Sequence, residues 1–206
     1  MKLHWSPRSP FVRKVMITAH ELGVADQIDL IRTRVALTEP APDELVIDNP
    51  LGVIPTLVLD DGTAIFDSVV ICEYLDHCYG AQSLFPPSSP ARWNCLTRHT
   101  IANGALDALI LLRNERQKPE GRFTPEWIDK FSSKVMHSLD RIETLINARA
   151  GAAPDIGDIA CACFVGYLDF RFQEIDWRKS RPNLKFWFAA FSARPSMIAT
   201  SVIDDS

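Results

Sequence analysis

Residues Asn49–Tyr79, NPLGVIPTLVLDDGTAIFDSVVICEYLDHCY, decide the fold. Pro55 lies where a loop meets the apolar run Thr56–Leu59, so this residue without an N–H begins a strand rather than interrupting one. Asp60-Asp61-Gly62 follows, and Asp-Gly is the pair that a type I′ hairpin turn needs, because both central residues of that turn have positive φ. The chain returns through Thr63–Phe66. Asp67-Ser68 then precedes Val69, Val70, Ile71, Tyr74 and Leu75, whose spacing is helical. A second strand therefore runs directly into a capped helix start. Such a start carries unspent backbone N–H groups and suits an anion.

Toward the N-terminus, Lys2–Trp5 reads as a short strand and Ser6-Pro7-Arg8-Ser9 as the loop leaving it. Ser9-Pro10 places a cap residue before proline at the first helical position, the arrangement that a helix start prefers. That helix runs to Leu22, with Phe11, Val15, Met16 and Ala19 on its apolar face, Arg13 and Lys14 toward water, and Gly23 as its stop. A strand over Ile28–Arg34 and a loop with a short irregular helix over Thr38–Asp48 complete this part. The order is strand, helix, strand, helix, strand, hairpin strand, helix.

Toward the C-terminus, prolines cluster and periodicity vanishes between Gln82 and Ala91, which marks a linker. Everything after it reads as helical. Ala91–Gln117 carries Leu96, Ile101, Ala105, Leu109 and Leu112 at helical spacing. Thr124-Pro125-Glu126 starts the next helix with a cap, a first-turn proline and an acid, and Gly151 closes it. Asp155, with Asp158 three residues on, caps a helix through Phe170, and a last helix fits Asn183–Ser192.

The chain has 206 residues, 47% of them hydrophobic and 23% charged, which is the balance of a protein that buries a core. A net charge of −4, with scattered basic residues, gives no footprint for nucleic acid. No apolar run reaches the length of a membrane span and Met1-Lys2-Leu3-His4 lacks a signal-peptide pattern, so the expected location is cytoplasmic, with no membrane partner. Cys72, Cys78, Cys95, Cys161 and Cys163 are an odd number without CxxC and read as reduced core thiols. Cys161 and Cys163 point to different helix faces. The histidines His4, His20, His77, His99 and His137 show no ligand spacing, so no metal is expected.

The ordered set of Ile54-Pro55, the hairpin and Asp67-Ser68 closely resembles the glutathione-binding half of glutathione transferases. The resemblance implies a glutathione transferase fold: an α/β thioredoxin-like domain over residues 1–80, a linker over 81–91 and an all-α domain over 92–206. It implies a cis Pro55, with Ile54 offering backbone groups to the cysteinyl unit of glutathione. Ser68 is then implied at the γ-glutamyl carboxylate and Asp67 at the ammonium. Asp155 and Asp158 resemble the capping box of the family's helical domain, with Asp155 where Ser or Thr is usual. Val53 stands where relatives commonly carry Lys or Gln beside the glycyl carboxylate, and Arg8 or Arg34 could take over that contact.

Ser9 directly precedes Pro10-Phe11, as the family's catalytic Ser or Cys does in several classes, and Ser6 is the alternative. A free thiol has a pKa near ~8.5, so the site must favour the thiolate, which a hydroxyl donor and a helix N-terminus both do. Serine rather than cysteine excludes mixed disulfides at this position and points to conjugation of glutathione to an electrophile, or to attack on a peroxide. The resemblance further implies a homodimer, and a co-substrate pocket between the domains walled by Trp5, Arg8, Ala105 and Arg113. Arg113 is a candidate to hold an anionic co-substrate, but an arginine near a helix end is more often a solvated or carboxylate-paired residue. The alternative function is a non-catalytic, glutathione-transferase-like binding or regulatory protein.

Overall fold

The computed structural model describes residues 1–149 and 151–205. In chain order its elements are β1 (Lys2–Trp5), α1 (Pro10–Glu21), β2 (Asp29–Arg32), α2 (Asp43–Asp48), β3 (Thr56–Val58), β4 (Ala64–Ile65), α3 (Ser68–Tyr79), α4 (Ala91–Arg116), α5 (Pro125–Ile146), α6 (Ile156–Arg171), α7 (Pro182–Ser192) and α8 (Pro195–Ala199). Among the described residues no helix is long and apolar enough to cross a membrane. The chain forms two compact units, one of residues up to Pro87 together with the segment from Arg194, the other of Ser88–Ala193.

The first unit is built on a mixed sheet in the order β2-β1-β3-β4, with β1 parallel to β2 and antiparallel to β3, and β3 antiparallel to β4. Leu3 and Leu57, paired across β1 and β3, are fully buried at its centre. Helix α1 starts as the sequence predicts, with Ser9 at the cap accepting the Val12 N–H at 3.3 Å, and it stops before Gly23 at φ +70°. Lys14 departs from expectation. It is fully buried rather than facing water, because Pro10, Lys14 and Thr18 form an i, i+4 row that faces α3. Thr18 Oγ1 donates to Cys72 Sγ at 3.3 Å and Lys14 Nζ to Ser68 Oγ at 3.1 Å, so the two rows run in register.

The hairpin also corrects the sequence reading. Only Gly62 has positive φ, +87°, and its N–H bonds the Leu59 carbonyl at 3.0 Å while the Leu59 N–H bonds the Thr63 carbonyl at 2.9 Å. This is a three-residue loop closed by a left-handed glycine, in place of the two-residue type I′ turn. The Thr63 N–H donates to Asp61 Oδ1 at 2.8 Å, so that aspartate serves the turn through its side chain.

The segment from Arg194, read from sequence as part of the helical domain, packs with the first unit. Arg194 grips Glu21 through Nε at 2.8 Å and Nη2 at 2.6 Å, which holds the Glu21 carboxyl below its ordinary range. Arg13 Nη2 donates to the Met197 carbonyl at 3.3 Å. Near the end, Asp205 accepts from Arg8 at 3.0 Å and Arg32 at 2.6 Å. Helix α8 has only five residues, too few to show a periodicity that separates it from the preceding helices.

In the second unit α6 is buried on every side and packs against α4, while α7 lies against α5. Gly157 lets α6 approach α4 closely, since a Cβ there would lie 2.6 Å from the Cys95 carbonyl oxygen. The capping box is present: Asp155 Oδ1 accepts the Asp158 N–H and Asp158 Oδ2 the Asp155 N–H, each at 3.1 Å. Cys95, Cys161 and Cys163 are buried here, as Cys72 is in the first unit, and burial pushes the Cys95 thiol up to about 12 and raises Cys161 as well. Cys78, by contrast, is exposed. Thr124 takes the extended conformation of a cap, but its hydroxyl makes no capping bond; its N–H instead donates to Glu115 Oε1 at 2.7 Å.

Candidate functional site

Three segments converge at one end of the sheet, and strand register dictates this. His4 lies opposite Thr56, so the C-terminal end of β1, where the Ser6–Ser9 loop departs, adjoins the N-terminal end of β3, which Ile54-Pro55 enters. Leu57 lies opposite Ile65, so β4 ends on that same side and delivers Asp67 and Ser68 to the start of α3. The Ile54-Pro55 peptide bond is cis, as is Phe66-Asp67.

Ser9 is half-buried and Ser68 is 2% exposed. Ser9 Oγ accepts from the Val12 N–H and Ser68 Oγ from the Lys14 ammonium. Among the described residues neither hydroxyl donates its own hydrogen, so each retains one donor. Ser6, the alternative to Ser9, is buried in the loop and accepts the Arg8 N–H at 3.4 Å, away from the N-cap position. Asp67 is exposed at the N-cap of α3, with Oδ1 accepting the Val69 N–H at 3.2 Å and Oδ2 without a partner among the described residues.

The loop before Pro55 is held from within by a residue to which the sequence assigns no role. Asn49 is fully buried, and its Nδ2 donates to the Val53 carbonyl at 3.1 Å and to Thr56 Oγ1 at 2.9 Å while its Oδ1 accepts the Leu51 N–H. Gly52 has φ +60° and would place a Cβ 2.7 Å from Ala41 Cβ, so only glycine fits. With the Val53 carbonyl engaged, the Ile54 N–H and C=O are the next backbone pair, and neither bonds a described residue. The Val53 side chain is 42% exposed.

Of the remaining sequence-predicted residues, Trp5 ends β1 half-buried beside the Ser6–Ser9 loop. Arg8 is engaged by Asp205, and Arg34, the other arginine offered for the glycyl carboxylate, by Glu39 at 3.0 Å. Ala105 and Arg113 belong to the second unit: Ala105 is core, 1% exposed, and Arg113 is half-buried in the last turn of α4. Lys14, which the sequence places toward water, reaches Ser68 Oγ, and the one signal of this in sequence is its place in the Pro10–Lys14–Thr18 row.

A profile for the glutathione S-transferase N-terminal domain matches residues 8–78, and one for the C-terminal domain matches 125–190. The GST-like protein YibF of Escherichia coli K12 is 31% identical over 186 residues, spanning 89% of this chain and 90% of that protein. A glutathione transferase family member from Pseudomonas fluorescens Pf-5, solved with bound glutathione, superposes with a TM-score of 0.92 at 39% identity over 97% of each chain. A glutathione S-transferase from Methylobacillus flagellatus, solved with glutathione bound, gives a TM-score of 0.88 at 33% identity over 98% of this chain and 99% of that one. Two domain profiles and near full-length relatives thus agree with the converging serines and cis proline: the chain belongs to the glutathione S-transferase family.

Proposed function

We propose that the protein is a glutathione transferase that binds glutathione along Val53, Ile54, Pro55, Asp67 and Ser68 and activates its thiol at Ser9. The thiol releases its proton to solvent, and the sulfur forms a bond to an electrophilic carbon of a small hydrophobic co-substrate as that carbon's bond to its leaving group breaks. With a peroxide as the second acceptor the same thiolate attacks one oxygen, the O–O bond breaks, and the other oxygen leaves as hydroxide or alkoxide and takes a proton from solvent. The observation that carries this reading is the pair of serine hydroxyls at one end of the sheet, each held by an internal donor and each with its hydrogen unspent. One faces the charge of a thiolate at the N-terminus of α1, the other that of a carboxylate at the N-terminus of α3. Ile54 lies between them with an open donor and acceptor, as an extended peptide requires.

Ser68→Ala removes one hydrogen bond to a charged group, worth about 1.5–3 kcal/mol, and is expected to weaken glutathione binding about ten- to a hundredfold. Calorimetry on the folded variant checks this; affinity equal to the parent's places the γ-glutamyl group elsewhere.

Exposed Val70 on α3 (48%) and Trp93 on α4 (61%) support a homodimer, since apolar side chains of this size are covered in an assembly. Sedimentation at micromolar concentration is expected to report the dimer mass, and a monomer independent of concentration contradicts it.

A further inference from the structure

We propose that Lys14 is a positioning residue that fixes the sense of the Ser68 hydroxyl, so that the site takes a carboxylate and discriminates against a ligand lacking one. The inference rests on the glutathione reading above for the identity of the ligand. Lys14 is fully buried, with its ammonium 3.1 Å from Ser68 Oγ and 5.3 Å from the Phe11 ring centroid. An ammonium has donors and no acceptor, so this contact runs in one direction only, from lysine to serine. Ser68 is thereby committed as acceptor toward the core, and its hydrogen points to an acceptor that no described residue supplies.

A hydroxyl with a neutral neighbour rotates and serves donors or acceptors alike; one that accepts from a cation is polarised and turned outward as a donor. A burial role alone does not explain the residue. Removing an ammonium from water is costly, and methionine fills a similar volume without that cost. The row formed by Thr18 on Cys72 and Lys14 on Ser68 locks α1 to α3 in the register that keeps the contact. Lys14 acts on the ligand through Ser68 and not by direct contact.

The test is calorimetric binding of glutathione and of its analogue 4-aminobutanoyl-cysteinylglycine, which lacks the γ-glutamyl carboxylate, to the parent, Lys14→Met, Lys14→Arg, Ser68→Ala and the Lys14→Met, Ser68→Ala double variant. The parent is expected to prefer glutathione. Lys14→Met is expected to lose about tenfold in glutathione affinity and less than about twofold for the analogue, and the tenfold loss shrinks in the Ser68→Ala background. Lys14→Arg, still a pure donor, restores the preference. Equal losses for both ligands, or the same loss with and without the Ser68 hydroxyl, overturn the proposal. If Lys14→Met does not fold, Lys14→Gln decides: its amide offers donor or acceptor, so the preference must narrow, and an undiminished preference overturns the inference. A parent that binds glutathione while Lys14→Met binds it equally well sinks this inference alone; a parent that binds neither ligand sinks the glutathione reading and this inference with it.

Discussion

Arg98→Met is expected to destabilise the protein by about 3–5 kcal/mol, because it strips a buried cation from two buried carboxylates. Arg98 Nη2 bonds Asp155 Oδ2 at 2.5 Å and its Nε lies 3.6 Å from Asp158 Oδ1, with all three side chains under 10% exposed. Arg149 remains at 2.7 Å from Asp158 but is more open to solvent and stands 3.3 Å from Asp155. Burial already raises the Asp158 carboxyl above its ordinary value against the opposing hydrogen bond from Arg149, and losing Arg98 raises it further. A carboxyl whose folded pKa is raised favours the folded state more as pH falls. The deficit of Arg98→Met is therefore full at pH values above the raised pKa and should shrink as pH falls through it toward the ordinary carboxylate range. Urea unfolding at two pH values measures it, and a neutral-pH loss below about 1 kcal/mol contradicts the assigned role of the cluster.

Ser9→Ala is expected to lower kcat/KM at neutral pH about ten- to a hundredfold, since a hydrogen bond to a charged sulfur is worth about 1.5–3 kcal/mol. It should also cost about 1 kcal/mol of stability, because the same oxygen caps α1 through the Val12 N–H. The free N–H groups of α1 survive, so part of the activation survives and activity recovers in alkali. Ser6→Ala, measured with an activated aryl halide, should stay within about twofold of the parent. A larger loss there than in Ser9→Ala reverses the assignment.

Much of the fold was legible because its punctuation is local. Ser9-Pro10, Asp67-Ser68 and the Asp155–Asp158 box each act within a turn of their own helix, and the structure realises all three caps. What was misread depends on partners distant in sequence. Lys14 belongs by composition on a wet face, and the packing of α1 against α3, which brings it to Ser68, 54 residues away, buries it. Asn49 looks like an ordinary turn residue until Val53 and Thr56 fold onto its amide. The attachment of the chain after Arg194 runs through partners far back in sequence, Glu21 for Arg194, 173 residues away, Arg13 for the Met197 carbonyl, and Arg8 and Arg32 for Asp205. The hairpin turn failed for a local reason: Asp-Gly fits a two-residue and a three-residue loop alike, and strand register selects the latter.

A chain that binds glutathione and holds it as a thiolate at Ser9 must lower the pKa of the bound thiol. Ultraviolet thiolate absorbance of protein-bound glutathione, followed against pH in the parent and in Ser9→Ala, addresses it without the natural electrophile. The parent is expected to titrate below the free-thiol value of ~8.5, and Ser9→Ala about one to two pH units above the parent. A bound thiol that titrates like the free one in the parent contradicts thiol activation and leaves a binding protein without turnover, while an unshifted Ser9→Ala contradicts the residue.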